Sequence, residues 1–206
     1  MTGRRERKKH LTRQALLQAA IVLFSNRGFD GTRIEDITER VDLAKGAFYN
    51  YFDSKETLLA ELIIQGITIL EQDHFSALDS ASPLDGLVQC YCAFLDHHPE
   101  YLGLINQARG LLTHGRGGNP RLREAMGDLL RRVASRLAPS DQTQRWTEDE
   151  SIDMAALLAG SVTGYRSFRL AVGFSPATPV SHQAIVAGLS RMMDEVRRRR
   201  ETGAPS

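Results

Sequence analysis

Apolar residues recur along this chain at intervals of three and four, with no convincing apolar/polar alternation and no Asn-Gly or Asp-Gly turn joining two alternating runs. Ile34, Ile37 and Val41 stand at i, i+3 and i+7, and Ala20, Leu23 and Phe24 give the preceding segment one apolar side. Helix starts are frequent. Thr32-Arg33-Ile34-Glu35 and Thr147-Glu148-Asp149-Glu150 both have the form in which a hydroxyl and a carboxylate satisfy the free N–H groups of a first turn. Ser82-Pro83, Asn119-Pro120 and Thr178-Pro179 each put a capping residue before a proline, which has no N–H to lose at the first helical position.

These signals predict an all-α chain of about nine helices: 11–27, 33–40, 44–51, 54–78, 83–97, 99–114, 120–137, 148–172 and 179–200. Three short helices come first and six longer ones follow. Asn26-Arg27-Gly28 closes the first, and Gly115-Arg116-Gly117-Gly118 separates the sixth from the seventh. Only the tails, 1–9 and 201–206, read as disordered.

The two short helices across 33–52 carry the pattern with the most chemistry. A rotation of about 100° per residue puts positions 45, 46, 49 and 50 on one arc of about 140°, with 44, 47, 48 and 51 opposite. Phe48 is therefore expected to point inward, and Lys45, Gly46, Tyr49 and Asn50 outward. A cation neutralises phosphate or donates to guanine, an amide bonds an adenine edge, and a tyrosine bonds phosphate or packs on a thymine methyl. A glycine lets a backbone approach closely. Two helices joined by a tight turn, the second presenting such residues, form the helix-turn-helix that enters the DNA major groove. Geometry alone equally admits a solvated helical hairpin.

Charge sharpens that choice. The net charge is only +1, but residues 1–55 hold 11 Lys or Arg against 7 Asp or Glu, and the rest hold 15 against 18. All four lysines, Lys8, Lys9, Lys45 and Lys55, lie in the first part. A basic front on a mildly acidic body suits either a polyanion-binding module attached to something else or an ordinary solvated surface with a basic tail. The 206 residues suffice for a core without disulfides or metals, and two cysteines one residue apart fit a reduced, cytoplasmic protein. No apolar run is long enough to span a bilayer, and Arg13, Gln14 and Gln18 interrupt anything like an export signal.

Residues Gly28-Phe29-Asp30-Gly31-Thr32-Arg33-Ile34-Glu35-Asp36-Ile37, then Lys45-Gly46-Ala47-Phe48-Tyr49-Asn50-Tyr51-Phe52 and Ser54-Lys55-Glu56-Thr57-Leu58-Leu59, closely resemble the N-terminal domain of TetR-family transcriptional regulators. The resemblance covers roughly residues 11–60. It implies that Thr32 and Arg33 lie near the phosphate backbone at the start of the second helix. Lys45, Gly46, Ala47, Tyr49 and Asn50 would take the base- and backbone-contacting positions, and Tyr51 and Lys55 would hold phosphates. Lys55 also has a physical reason, because a helix N-terminus attracts phosphate and an ammonium strengthens the clamp. The basic arm Arg4, Arg5, Arg7, Lys8 and Lys9 reads either as an additional DNA contact or as a solubilising tail. The chain departs from the family at Asp42, where Gly is usual, at Ala44, where a capping Ser or Thr is usual, and at Ala47 and Tyr51 in place of Thr and His. Asp tolerates left-handed backbone better than most residues.

The resemblance further implies an all-helical second domain whose last two helices pair with those of a second copy. Ala156, Gly160 and Gly164 form a small-residue stripe in the eighth helix, and Ile185, Leu189, Met192, Met193 and Val196 an apolar face in the ninth. Candidates for a ligand pocket are Tyr91, Phe94, Tyr101, Ile105, Asn106, Arg109, Tyr165, Phe168 and Arg169. Core is the default fate of such aromatics; Asn106 and Arg109 are more pointed, since a polar group on a mostly apolar helix needs a partner. Cys90 and Cys92 would lie about 200° apart on a helix and could not chelate together, and His97 and His98 sit beside Pro99 at a junction.

The expected organisation is a helix-turn-helix domain over 1–53, with its basic arm, and a helical ligand-binding and dimerisation domain over 54–206. The expected function is a homodimeric DNA-binding regulator, read as a repressor released from a palindromic double-stranded operator by a small molecule. A metal- or thiol-responsive regulator and a non-specific nucleoid-type protein are the alternatives. No catalytic constellation, metal site or cofactor motif is read, and no membrane partner.

Overall fold

The computed structural model describes residues 3–75, 83–113, 119–137, 146–173 and 182–202. Among them lie nine α-helices and no strand: α1 (Arg4–Arg27), α2 (Ile34–Glu39), α3 (Lys45–Phe48), α4 (Lys55–Ile69), α5 (Pro83–His97), α6 (Glu100–Thr113), α7 (Pro120–Leu137), α8 (Glu148–Ala171) and α9 (His182–Thr202). The all-α class and the order of elements are as expected from the periodicity. The α4 helix runs on as a π-helical turn, Leu70–His74.

The differences are local and have identifiable causes. The α1 helix starts at Arg4, not near residue 11, so the described part of the basic arm is helical instead of disordered. Arg, Glu and Lys are good helix formers, and extending an existing helix avoids the cost of nucleation. At α2 the cap lies one residue later than the sequence form suggests. The Arg33 N–H donates to Asp36 Oδ2 at 2.8 Å, whereas the Thr32 hydroxyl donates backwards to the Gly28 carbonyl at 2.7 Å. The α3 helix has four residues where eight were expected. Ala44 gives it no side-chain cap, and beyond Phe48 it tightens into i→i+3 turns, with Asn50 N–H donating to the Ala47 carbonyl at 3.2 Å and Tyr51 N–H to that of Phe48 at 2.9 Å. The Thr147 box forms as read, with Glu150 N–H donating to Thr147 Oγ1 at 3.2 Å and Thr147 N–H to Glu150 Oε2 at 2.8 Å. Asn119 caps α7 through Arg121 N–H at 3.0 Å. The Ser82 and Thr178 starts fall outside the described residues.

The chain divides into two compact units, residues 1–68 with 98–125, and residues 69–97 with 126–206. In the first, Leu16, Leu17, Ala20 and Phe24 of α1 are buried, as are Ile37, Phe48, Phe52, Leu58, Leu59, Leu62 and, from α6, Leu104. Ion pairs bind this unit at its rim: Glu61 faces Arg13 at 3.3 Å and Arg121 at 3.8 Å, and the Arg13 guanidinium lies 4.8 Å from the centroid of the Phe52 ring. Gln107 of α6 donates to the Phe24 carbonyl near the end of α1, at 3.4 Å. In the second unit the core joins Leu87, Val88, Phe94 and Leu95 of α5, Met154, Ala155, Leu158 and Val162 of α8, and Ile185, Leu189 and Met193 of α9.

One close approach sets the spacing of α4 and α6. The Tyr101 ring lies where a Cβ on Gly66 would be, so only glycine fits there. The ring is buried, and burial pushes its phenol up to about 12. We expect Gly66→Ala to lower stability by about 1–3 kcal/mol, as overpacking does, read as a lower urea midpoint with an unchanged slope. An unchanged midpoint would mean that the ring moves aside freely.

Candidate nucleic-acid interface

The α2–α3 pair is built around Phe48, fully buried together with Ile37 of α2. The chain reverses between the two helices at Asp42, whose φ is 55°, the left-handed region. This is the only positive φ at a non-glycine residue among those described, and it confirms that Asp serves where glycine would be freest. Thr38 seals the turn. Its carbonyl accepts from the Leu43 N–H at 2.9 Å, and its buried hydroxyl donates to the Ile34 carbonyl at 3.1 Å.

With Phe48 directed inward, the opposite side is set. Lys45, Gly46 and Asn50 are exposed, Tyr49 is 52% exposed with its ring edge-on to Phe48 at 5.5 Å, and Ala47 and Tyr51 are half-buried. A Cβ added to Gly46 would meet nothing within 4 Å. Glycine is therefore not required there by the chain's own packing, and its bare backbone faces open space. Phe52, 5.7 Å from Phe48, completes the inward pair.

Two acidic groups arrange the cations of this face. Glu35 of α2 holds the Lys45 ammonium at 2.5 Å, which lowers the glutamate's pKa and raises the lysine's through their hydrogen bond. The glutamate's share of this stabilisation is present above its ordinary range and is lost as pH falls through its lowered value. The lysine's share is present below its own range and is lost as pH rises through its raised value. The pair is therefore charged throughout the neutral range. Lys45 is exposed and Glu35 partly so, and the contact is weak and exchangeable. Arg33, at the cap of α2, is exposed, stands 3.8 Å from Asp36, and is close enough to Lys45 for its charge to be felt.

Thr32 and Lys55 both have partners inside the chain. Thr32 is fully buried. Lys55, at the first position of α4, sends its ammonium into the α1–α2 loop, donating to the Phe29 carbonyl at 2.6 Å and the Thr32 carbonyl at 2.8 Å, 4.2 Å above the Phe29 ring. Two charge-assisted bonds and a cation–π contact fasten the loop that leads into α2. Sequence inspection read the lysine's charge as available to phosphate; the partner carbonyls, 23 and 26 residues away, carry no signal in the sequence.

The ligand candidates divide between the units. In the first, Tyr101 is buried against Gly66, Ile105 is half-buried, and Asn106 and Arg109 are exposed. In the second, half-buried Tyr91 shares a hydroxyl hydrogen bond of 2.9 Å with Thr163 and stacks on buried Phe94 at 6.4 Å. Arg169 lies 5.7 Å from the Tyr165 ring centroid and donates to its hydroxyl at 3.4 Å, while Phe168 is 69% exposed. Arg166, absent from the sequence reading, is the buried cation among this unit's described residues, donating to Asp96 Oδ1 at 2.7 Å and the Cys92 carbonyl at 3.0 Å. Its signal was available: 155, 158, 162 and 166 follow one helical stripe, three members of which are apolar. The Cys90 thiol donates to the His74 carbonyl at 3.1 Å, and burial pushes both thiols up. Among the described residues no group of three or more His, Cys, Asp or Glu is placed to hold a metal ion, and no helix is long and apolar enough to cross a membrane.

Residues 16–62 match the family model for bacterial regulatory proteins of the tetR family. Over 86 residues the chain is 31% identical to the HTH-type transcriptional repressor DhaR of Mycobacterium sp. (strain GP1), covering 41% of this chain and 43% of that protein. Over 68 residues it is 40% identical to the HTH-type transcriptional regulator RutR of Escherichia coli (strain K12), covering 33% and 32%. The chain thus spans less than half the length of these curated relatives. Likeness of fold extends further: a solved regulatory protein, SCO4313, superposes with a TM-score of 0.65 over 93% of this chain and 98% of its own, at 19% identity.

Replacing Lys55 by Met, which keeps the stem and removes the donors, is expected to destabilise the protein by about 2–3 kcal/mol, because two carbonyls lose charged donors. Lys55→Arg should recover part of that loss. Chemical denaturation of both variants decides the point; a Lys55→Met protein as stable as the parent would show the contact to be incidental.

Proposed function

We infer that this chain, which through residues 16–62 belongs to the tetR family of bacterial regulatory proteins, is a sequence-specific regulator of transcription that reads DNA with α3. The observation that carries the reading is the outward set Lys45, Gly46, Tyr49 and Asn50, held at a fixed angle by the buried Phe48. Asn50 and Tyr49 meet base edges and thymine methyls, Gly46 admits the phosphate backbone closely, and Lys45 exchanges Glu35 for a phosphate or a guanine. Arg33, Ala47 and Tyr51 lie at the margin of the same face, with Arg33 and Tyr51 toward phosphates. Thr32 and Lys55 act mainly by holding the loop before α2; Lys55 has three N–H donors and uses two on carbonyls, which leaves one for a phosphate. Residues 1–53 form the reading head in this view, and 54–206 the regulatory body.

The regulator works as a homodimer. Ala156, Gly160, Gly164 and Phe168 recur every fourth residue on α8, and a Cβ at either glycine would meet nothing within 4 Å. The opposite stripe of α8 already packs inside the protomer through Ala155, Leu158 and Val162. An uncovered stripe of small residues ending in an exposed phenylalanine, with Leu157 and Met192 exposed on α8 and α9, suits a second copy across a two-fold axis. Two recognition helices then meet half-sites about 34 Å apart, so the operator is palindromic. A small molecule taken up by the body, at residues such as Tyr91, Phe94, Tyr165 and Arg169, shifts the balance between a dimer that matches this spacing and one that does not, and so releases the operator in the cytoplasm.

Footprinting on fragments selected from genomic DNA tests the reading: one protected palindrome supports it, and uniform protection means a nucleoid-type protein. Asn50→Ala should cost about 1–3 kcal/mol on the operator, mainly at one base position, with binding to random DNA little changed. Equal losses on both would remove Asn50 from base reading. Phe168→Asp is expected to convert a dimer to a monomer in sedimentation while far-UV circular dichroism stays the same; a dimer that persists would put the interface elsewhere.

A further inference from the structure

Residues 4–9 read Arg-Arg-Glu-Arg-Lys-Lys, five cations and one anion, and they form the first turns of α1. Every residue from Gly3 to Leu11 is exposed, so no packing supports this stretch. Electrostatics opposes it. Arg4 faces Lys8, Arg5 faces Lys9, and Lys9 faces Arg13, like charges at i,i+4 that destabilise a helix. The positive end of the helix dipole lies among them, Gly3 provides no side-chain cap, and Glu6 is the one acid in the first turn. Among the described residues none of Arg4, Arg5, Arg7, Lys8 and Lys9 has an ion-pair or hydrogen-bonded side-chain partner, although Arg13, one turn on, is engaged by Glu61. The helix continues unbroken into Leu16, Leu17, Ala20 and Phe24, part of the core of the unit that also holds α3. From Leu16 the axis carries Arg4 about 18 Å outward, a reach of several phosphates along a duplex.

We propose that Arg4–Lys9 is a second DNA-binding element, a helical arm that lies against the phosphate backbone flanking the half-site and supplies affinity without base recognition. The inference rests on the reading of the chain as a DNA-binding protein. A polyanion relieves each unfavourable feature of the arm at once: it neutralises the repelling side chains and complements the dipole. A helix presents these cations as a cylinder about 10–12 Å across, which fits phosphates across a groove and is too wide for an undistorted minor groove of about 6 Å.

The test uses the full chain and a variant carrying Arg4→Gln, Arg5→Gln, Lys8→Gln and Lys9→Gln. Fluorescence anisotropy follows binding to a genomic fragment selected by the parent protein and to a random duplex of equal length, at several salt concentrations. The expected result is a salt slope shallower by about two to four per chain and an affinity loss of about tenfold or more, equal on both duplexes. The thermal midpoint should not fall, since these side chains are exposed and without ion-paired or hydrogen-bonded partners. A second variant, Arg4→Lys, Arg5→Lys and Arg7→Lys, keeps the charge and should bind as the parent does, because an arm that acts by neutralising phosphates is served by an ammonium as a point charge. An unchanged salt slope in the first variant overturns the proposal, as does a loss confined to the selected fragment or a loss in the lysine variant. Loss of binding to phosphatidylserine vesicles with DNA binding intact would assign the arm to an anionic membrane instead. If the parent protein binds neither duplex, the DNA-binding reading itself falls, and the arm proposal with it.

Discussion

A single ammonium group holds the α2–α3 pair in register. Lys55 stands at the start of α4, and its donors reach back to the carbonyls of Phe29 and Thr32, in the loop that launches α2. Whatever fixes that loop fixes α2, and α2 carries the Ile37 and Thr38 surface on which α3 rests. The Thr32 hydroxyl, bound to Gly28, ties the other side of the same loop to the end of α1. Three helices are thus referred to one cluster of carbonyls, and a short α3 with no side-chain cap of its own needs that external support.

The aromatic run around α3 separates into a plug and a surface for the same reason. Phe48 and Phe52 are buried because the alternative, exposing two rings, would forfeit about 1.5–3 kcal/mol for each. Their neighbours must then face outward. Glu35 keeps Lys45 from drifting over the protein surface, a weak contact but a directional one, and a polyanion can displace it. The fixed feature of this face is the buried Phe48, which sets the angle of α3; the Glu35 contact is exchangeable.

The second unit sets one cation, Arg166, into its apolar core and leaves several apolar side chains outside. Arg166 is 9% exposed and is held by Asp96 and the Cys92 carbonyl, while Phe168, two positions on, is 69% exposed. A buried cation persists only with its partners in place, so α5 and α8 are pinned in one alignment. The far side of α8 carries the small residues Gly160 and Gly164 with open space before them, and ends in that exposed phenylalanine.

Much of this was legible in the chain itself. The apolar period of three to four identified the helices, proline and hydroxyl signals placed the starts of α7 and α8, and a helical projection separated Phe48 from Lys45, Gly46, Tyr49 and Asn50. These features are local, set within one or two helical turns, so neighbouring residues suffice to reveal them. Asp42 was readable for the same reason, because the demand for a left-handed residue arises inside the turn. Only the tertiary structure decided that Thr32 is buried, that Lys55 binds carbonyls before it can bind anything else, that Gly66 exists to admit Tyr101, and that Arg166 is an interior cation. Each of those depends on a partner 23 or more residues away, or on the three-dimensional space left between two helices. Periodicity determines which face of a helix turns inward; what that face meets is set only when the helices pack.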